Sequence, residues 1–282
     1  MRLHNRRMKE FRICDSHCHI FPRELISRAV HAVDTFYQGL PAEPQDGSSE
    51  TLIRGGMENG ISHFVVCAVA TNPQQVSRVN RYLALKTASS GGRFTGLGSL
   101  FPMDDLEQVR KDLEELKALG LQGVKLHPDL QKYEVDCPEA MNLFEMLEEQ
   151  QIPVCVHTGD HRYDYSNPER VSRVLEAFPR LTFIGAHLGG WSVWKDAKRL
   201  LPDHPTIIEE TSSSFVWLKP EEAKDIIRAF GSERVMFGTD YPMWQQKNEI
   251  NYLLGLDLQE EEYQNIFWNT CNRIWRLTDD RS

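Results

Sequence analysis

The stretch that decides the fold is "CDSHCHIFP", residues 14–22, which lies at the end of the first apolar run. Strand side chains alternate between two faces, so Asp15, His17 and His19 share one face. The first strand of a doubly wound open sheet is usually followed by a glycine-rich phosphate-binding turn. Here histidines take that place, and "GGMENG" at 55–60 lacks the GxGxxG spacing. The stretch therefore favours a barrel over an open sheet.

The rest of the chain alternates short apolar runs with longer amphipathic runs. The predicted strands are 11–20, 62–70, 94–100, 123–128, 153–159, 181–187, 206–212 and 234–240. The clearest predicted helices are 103–120, 137–150, 167–178 and 219–231. Strands that alternate with helices over about 250 residues predict an α/β fold, a (β/α)8 TIM barrel. We expect one metal-dependent barrel domain over residues 1–282.

One segment interrupts this alternation, between the first and second predicted strands. Residues 24–37 have the pattern of a helix, and 39–50 are rich in Pro, Gly and Ser, which predicts a loop. A long loop at the carboxyl end of a barrel strand often covers the substrate. We therefore expect residues 32–58 to form a lid-like insertion over the pocket mouth, with Phe36 and Tyr37 as its apolar contacts.

Composition narrows the function classes. Of the 282 residues 40% are hydrophobic and 26% are charged, which is typical of a globular domain, and the formal net charge is −9. An acidic chain argues against a nucleic-acid partner, because phosphate binding requires a basic face. We expect no membrane span and no signal peptide, because no long apolar run is present. Six cysteines without CxxC pairs favour a reducing, cytoplasmic location.

Polar side chains interrupt the apolar runs at the same end of several predicted strands. They are Lys125 and His127 on the fourth strand, His157 on the fifth, His187 on the sixth and Asp240 on the eighth. In a closed barrel, the carboxyl ends of the strands surround one active site. Neutral imidazoles and a carboxylate are ligands of divalent transition metals such as zinc. The pattern predicts a metal centre that includes His17 and His19. For a single histidine, a hydrogen-bonded core position is the alternative.

The ordered motifs resemble those of the amidohydrolase superfamily, in particular the "amidohydrolase 2" branch with aminocarboxymuconate semialdehyde decarboxylase-like proteins. They are "DSHCH", "GVKLHP", "VHTG", "AHLGG", "EETSS" and "GTDYP", and they extend over almost the whole chain. The resemblance implies one divalent ion, expected to be zinc, held by His17, His19, His157 and Asp240. It also implies that His187 acts as an acid/base or substrate-orienting group. A second ion is the open alternative.

Four further side chains are candidates for substrate contacts. Lys125 could contact a substrate anion, form a buried ion pair or, as in binuclear relatives, be carboxylated and bridge two metals. His127, nearer the mouth, could face the substrate or a second ion. Arg162 and Trp191 follow the fifth and sixth strands, where a solvated loop and core packing are the alternatives.

The resemblance leaves the reaction open. The first interpretation is metal-assisted hydrolysis of a small, carboxylated molecule, in which Asp240 moves the proton of the activated water and His187 assists. The alternative is a lyase, a non-oxidative decarboxylase of an aromatic or unsaturated acid on the same site. A non-catalytic binding protein is the second alternative. A homodimer is also left open, with the aromatic helix predicted at 261–277 as a candidate surface.

Overall fold

The computed structural model describes residues 11–39 and 44–277. Its eight parallel strands form one sheet in which each strand pairs with the next. They are β1 Ile13–His19, β2 Ile61–Cys67, β3 Phe94–Ser99, β4 Gly123–Leu126, β5 Val154–Val156, β6 Phe183–Gly185, β7 Ile208–Glu210 and β8 Val235–Met236. After β8, the chain returns to β1: Ser16 N donates to Phe237 O at 2.8 Å, and His19 N donates to Tyr241 O at 2.7 Å. The predicted (β/α)8 barrel is confirmed.

Helices connect the strands and cover the outside of the sheet. They are α1 Ile26–Phe36, α2 Ser49–Glu58, α3 Val76–Ala88, α4 Leu106–Ala118, α5 Pro128–Gln131, α6 Pro138–Glu149, α7 Pro168–Ala177, α8 Trp194–Leu200, α9 Pro220–Phe230, α10 Gln246–Leu254, α11 Glu260–Gln264 and α12 Thr270–Trp275. The four clearest predicted helices are confirmed as α4, α6, α7 and α9. Among the described residues, no helix is long and apolar enough to cross a membrane.

The insertion after β1 is more regular than its composition indicates. Its last ten residues form α2, which begins where the Ser48 side chain accepts a hydrogen bond from Thr51 N at 3.2 Å. A Cβ atom on Gly56 would lie 2.4 Å from the Phe64 ring, so this glycine lets α2 approach β2 closely. The predicted loop at 39–50 therefore ends in the first turn of a packed helix. Residues 40–43 of the predicted lid, and 1–10 and 278–282 of the predicted domain, lie outside the described residues.

The C-terminal segment closes the amino end of the barrel. The single helix predicted at 261–277 is instead α11, a π-helical segment Asn265–Asn269, and α12. Trp275 belongs to the buried apolar cluster of the barrel interior, together with Ile184 and Met236. A Cβ atom on Gly123, the first residue of β4, would lie 3.0 Å from the Trp275 ring. Polar side chains of the interior are therefore gathered at the opposite, carboxyl end.

Candidate metal centre and substrate pocket

Three ligand-type atoms converge where β1 ends and the chain leaves β8. Nε2 of His17 and Nε2 of His19 are 3.1 Å apart, and Asp240 Oδ1 lies 3.5 Å from each. Ligands at about 2.0–2.1 Å from a tetrahedral ion are about 3.3 Å from one another. The trio His17, His19 and Asp240 therefore has the spacing of three ligands around one ion, and its donor set fits a divalent metal.

Glu210 on β7 fixes the orientation of His17. Burial, followed by the charge of Lys125, holds the pKa of His17 well below its usual range, so the ring is neutral. Its Nδ1 lies 2.8 Å from Glu210 Oε1, an acceptor, and therefore carries the hydrogen. The lone pair of His17 Nε2 then faces the other two members of the trio. Histidines that bind metals use this arrangement. A Cβ atom on Gly238 would lie 2.4 Å from Glu210 Oε2, so this glycine makes room for the carboxylate.

Hydrogen bonds to the neighbouring Thr239 and to its own side chain position Asp240. Asp15 accepts hydrogen bonds from Thr239 N at 2.9 Å and Thr239 Oγ1 at 2.6 Å, which anchors the residue before Asp240. Ser213 Oγ donates to Asp240 Oδ2, and Trp244 Nε1 donates to Ser213 Oγ at 2.7 Å. Oδ1 is left to face the two histidines. Burial raises the pKa of Asp240 to about 6, although the bond from Ser213 opposes the rise.

His157 and His187 form a second, adjoining imidazole pair. His187 Nδ1 lies 3.0 Å from Ser212 O, and His187 Nε2 lies 2.9 Å from His157 Nδ1. His157 Nε2 lies 3.2 Å from Gly159 O. Burial lowers the pKa of His187 to about 3, so it is a neutral ring near neutral pH. Both nitrogens of His157 face these partners, and its role as a fourth ligand stays a prediction.

A cavity of about 180 Å³ opens beside the trio. Its polar lining includes His19, Lys125, His127 and Asp240, and apolar side chains such as Phe21 form other parts of its wall. An apolar cavity of about 150 Å³ accepts benzene. The cavity therefore has room for one aromatic ring with small substituents.

Lys125 is a cation buried at this cavity, with an exposed fraction of 1%. Among the described residues its ammonium makes one hydrogen bond, to Cys155 Sγ at 3.6 Å. Burial acts to lower the pKa of Lys125, but the neighbouring Cys155 and Cys67 sulfurs and the Glu210 and Asp240 carboxylates raise it above its usual range. A protonated amine with a weak acceptor attracts an anion, and carboxylation would require the neutral amine. The geometry favours the substrate-anion role over the bridging role.

The insertion after β1 reaches this cavity through Tyr37, the residue that follows α1. Tyr37 lines the cavity, and its hydroxyl lies 3.1 Å from His127 Nε2. Arg162 Nη1 donates to Phe36 O at 2.6 Å, which joins the insertion to the loop after β5. These contacts bring the end of α1 to the cavity wall, and the lid role of residues 32–58 stays a prediction. Whether the segment opens and closes stays a prediction.

Arg162 and Trp191 lie one layer outside the cavity. The Arg162 guanidinium is paired with Asp160, with Nη2 to Oδ2 at 2.6 Å and Nε to Oδ1 at 2.9 Å. It also lies 5.2 Å from the centre of the Tyr37 ring, and the Trp191 ring lies 4.9 Å from that ring. Both side chains therefore support Tyr37, and their direct contact with a substrate stays a prediction.

Glu210 and Ser213 are site residues that sequence reasoning missed as such. The motif "EETSS" drew attention to β7 but did not say which of its two glutamates faces inward. Glu210 and Ser212 are two residues apart and therefore lie on one face of the strand. The same alternation identified His17 and His19, and it could have grouped Glu210 with Ser212.

Comparisons with known proteins agree with this fold. The family model described as "Amidohydrolase" matches residues 14–277. A gamma-resorcylate decarboxylase of Polaromonas sp. strain JS666 is 22% identical, and the match covers 71% of this chain and 76% of the relative. An uncharacterised TIM-barrel protein from Bordetella bronchiseptica superposes with a TM-score of 0.80 at 22% identity, with coverage of 95% and 99% of the two chains.

One solved structure also carries ligands in its description. It is a 5-carboxyvanillate decarboxylase from Novosphingobium aromaticivorans, complexed with manganese and 4-hydroxy-3-methoxy-5-nitrobenzoic acid. Its TM-score is 0.75 at 15% identity, and the alignment covers 95% of this chain and 97% of that one. At this identity the likeness extends to the fold.

Proposed function

Since the chain belongs to the amidohydrolase family, we propose that it is a metal-dependent, non-oxidative decarboxylase of a monocyclic aromatic carboxylic acid. The observation that carries the proposal is the cavity of about 180 Å³, which combines room for one ring with the trio and the Lys125 ammonium. The decarboxylase names of two relatives support this reaction, which ranked second to hydrolysis on sequence alone.

The trio His17, His19 and Asp240, with His157 as the fourth candidate, would hold the ion. A divalent ion there would polarise the oxygen atoms of the substrate and draw electron density from its ring. Two imidazoles and a carboxylate suit either zinc or manganese. The manganese complex of the relative supports manganese beside the zinc that the sequence suggested.

The side chains of this chain divide the remaining work. Lys125 attracts the substrate carboxylate into the cavity, because its positive charge has no carboxylate partner within hydrogen-bonding distance among the described residues. Decarboxylation breaks the bond between the ring and the carboxylate and adds one proton to the ring carbon. We assign the delivery of that proton to Asp240, a carboxyl group that lines the cavity, and the orientation of the ring to neutral His187. Apolar walls exclude water and favour the release of uncharged carbon dioxide.

The test is product analysis with a panel of hydroxylated benzoic acids, against a matched panel of aromatic amides and lactones. Protein loaded with manganese or zinc is expected to release carbon dioxide from at least one acid, and His17→Ala/His19→Ala protein, the matched control, is expected to release none. Cleavage of amides or lactones without carbon dioxide release would restore the hydrolase interpretation. Ligand binding without any turnover would instead favour the binding-protein alternative. A cytoplasmic location and a homodimer stay predictions.

A further inference from the structure

The Tyr37 hydroxyl has one hydrogen to donate, and its partner depends on the neighbouring His127. Tyr37 lines the cavity, and its oxygen makes one hydrogen bond among the described residues, with His127 Nε2 at 3.1 Å. Which atom donates in that bond depends on the tautomer of His127. If the tyrosine donates, its hydrogen is taken up by His127. If the histidine donates, the hydrogen of the tyrosine remains available to a ligand.

The backbone after β4 settles this tautomer. Leu130 N, in α5, is shared between His127 O at 3.1 Å and His127 Nδ1 at 3.3 Å, so Nδ1 accepts through a lone pair. An imidazole whose Nδ1 accepts a hydrogen bond carries its one hydrogen on Nε2. Nε2 must donate to Tyr37 Oη. The hydrogen of the Tyr37 hydroxyl then has no acceptor among the described residues.

The other hydroxyl of the cavity lining is already used. Thr71 Oγ1 donates to Gln75 Oε1 at 3.2 Å. Tyr37 is moreover held in place, because the Phe36 ring packs edge-on at 4.8 Å and the Trp191 ring lies 4.9 Å away. A positioned O–H group that opens into this cavity gains most from an oxygen acceptor on the ligand, since a buried donor without a partner is costly.

We propose that Tyr37 is a specificity-determining residue that donates a hydrogen bond to an oxygen substituent on the ring of the substrate, so that the pocket selects hydroxylated aromatic acids. The proposal rests on the proposed function and names its substrate class: the trio and Lys125 take the carboxylate, and Tyr37 takes a ring oxygen.

The test measures equilibrium binding and needs no turnover. Nitrobenzene and 2-, 3- and 4-nitrophenol carry a planar nitro group in place of the carboxylate and cannot lose carbon dioxide. Their dissociation constants are measured by calorimetry for metal-loaded wild-type protein, Tyr37→Phe and Tyr163→Phe. Tyr163 is the matched control, since it lies beside Phe36 but outside the cavity lining.

Tyr37→Phe is expected to weaken at least one nitrophenol about 3- to 10-fold, the range of a single neutral hydrogen bond, and to change nitrobenzene less than about 2-fold. Tyr163→Phe is expected to change none of them. An equal loss for nitrobenzene and every nitrophenol would show a structural role, and no loss for any nitrophenol would show that the hydroxyl does not reach the ligand. Either result overturns the proposal, whether or not the protein proves to be a decarboxylase.

Discussion

The interior of the barrel is filled by apolar side chains at its amino end, whereas imidazoles, carboxylates and an ammonium fill it at the carboxyl end. Ile184 and Met236 pack with Trp275 in the first region, and His17 and Lys125 lie buried in the second. Apolar packing lowers the free energy of the folded state directly. Buried polar groups recover only the cost of losing water when each finds a partner. The difference teaches that the amino ends of the strands mainly stabilise the fold, whereas their carboxyl ends carry the candidate chemistry. Substitutions at the two ends should therefore affect stability and activity separately.

The largest effect is expected for the double variant His17→Ala/His19→Ala, which removes two members of the trio. Wild-type protein purified without chelator should hold about one divalent ion per chain, and the variant should hold almost none, because a single carboxylate remains of the trio. Elemental analysis of the two proteins is the measurement. Full metal content in the double variant would place the ion elsewhere, for example at His157 and His127.

Asp240→Asn is expected to lower kcat by about 10²–10⁴-fold, because asparagine keeps the shape but cannot transfer the proton. The melting temperature should change little, since Asp240 lies at the open end of the barrel. The comparison requires kcat, metal content and thermal unfolding of both proteins. Near-normal kcat would move the proton transfer to His187. A variant that fails to fold would give Asp240 a mainly structural role.

Ile184→Ala tests the other end of the barrel. Ile184 has an exposed fraction of 1% in the apolar cluster, and its truncation is expected to cost about 2–5 kcal/mol in the free energy of unfolding. Turnover per folded molecule should be unchanged, because Ile184 does not line the cavity. Chemical denaturation and active-site titration measure the two quantities. Lost turnover without lost stability would contradict the separation between the ends.

Glu210→Gln should weaken metal affinity by about 10–100-fold, the usual effect of removing the partner of a ligand histidine. Glu209→Gln is the matched control on the same strand. Glu209 is fully buried on the other face, and burial raises its pKa well above its usual range, so it is neutral and resembles glutamine. Competition with a chelator reports the affinities. Equal losses in both variants would mean that Glu210 acts through the strand and not through His17.

Alternation and strand count predicted most of the fold, because the barrel repeats a simple pattern and its apolar runs are continuous. The predicted strands extend too far at their carboxyl ends: residues 234–240 read as one strand, yet β8 is Val235–Met236. The chain leaves the ladder there and turns sharply, with φ of +57° at Asp240 and +62° at His187. Hydrophobic periodicity carries no information about such turns, although they aim the site residues.

The convergence of the site residues follows from strand order more than from any local pattern. Strand order brings the first and last strands together, and the structure places His17, His19 and Asp240 side by side there, while their role as ligands stays a prediction. The pairing of Arg162 with Asp160 depends on a loop conformation that spacing does not reveal, and its contact with a substrate stays a prediction. The helix α2 was not among the predicted helices, and the close packing of its Gly56 against Phe64 of β2 is a tertiary contact that the sequence does not reveal.

The pairing of Asp15 with Thr239 joins positions that are 224 residues apart in the chain. The two histidines of the trio leave the ribosome early and the carboxylate leaves it late, so the trio cannot assemble until the last strand has joined the first. An ion that binds only this assembled trio favours the closed barrel by mass action. It offsets part of the entropy lost when such distant segments meet. The candidate catalytic centre would thus also hold the first and last strands of the barrel together. Metal bound at the trio would then be a measure of the fraction of chains whose barrel is closed.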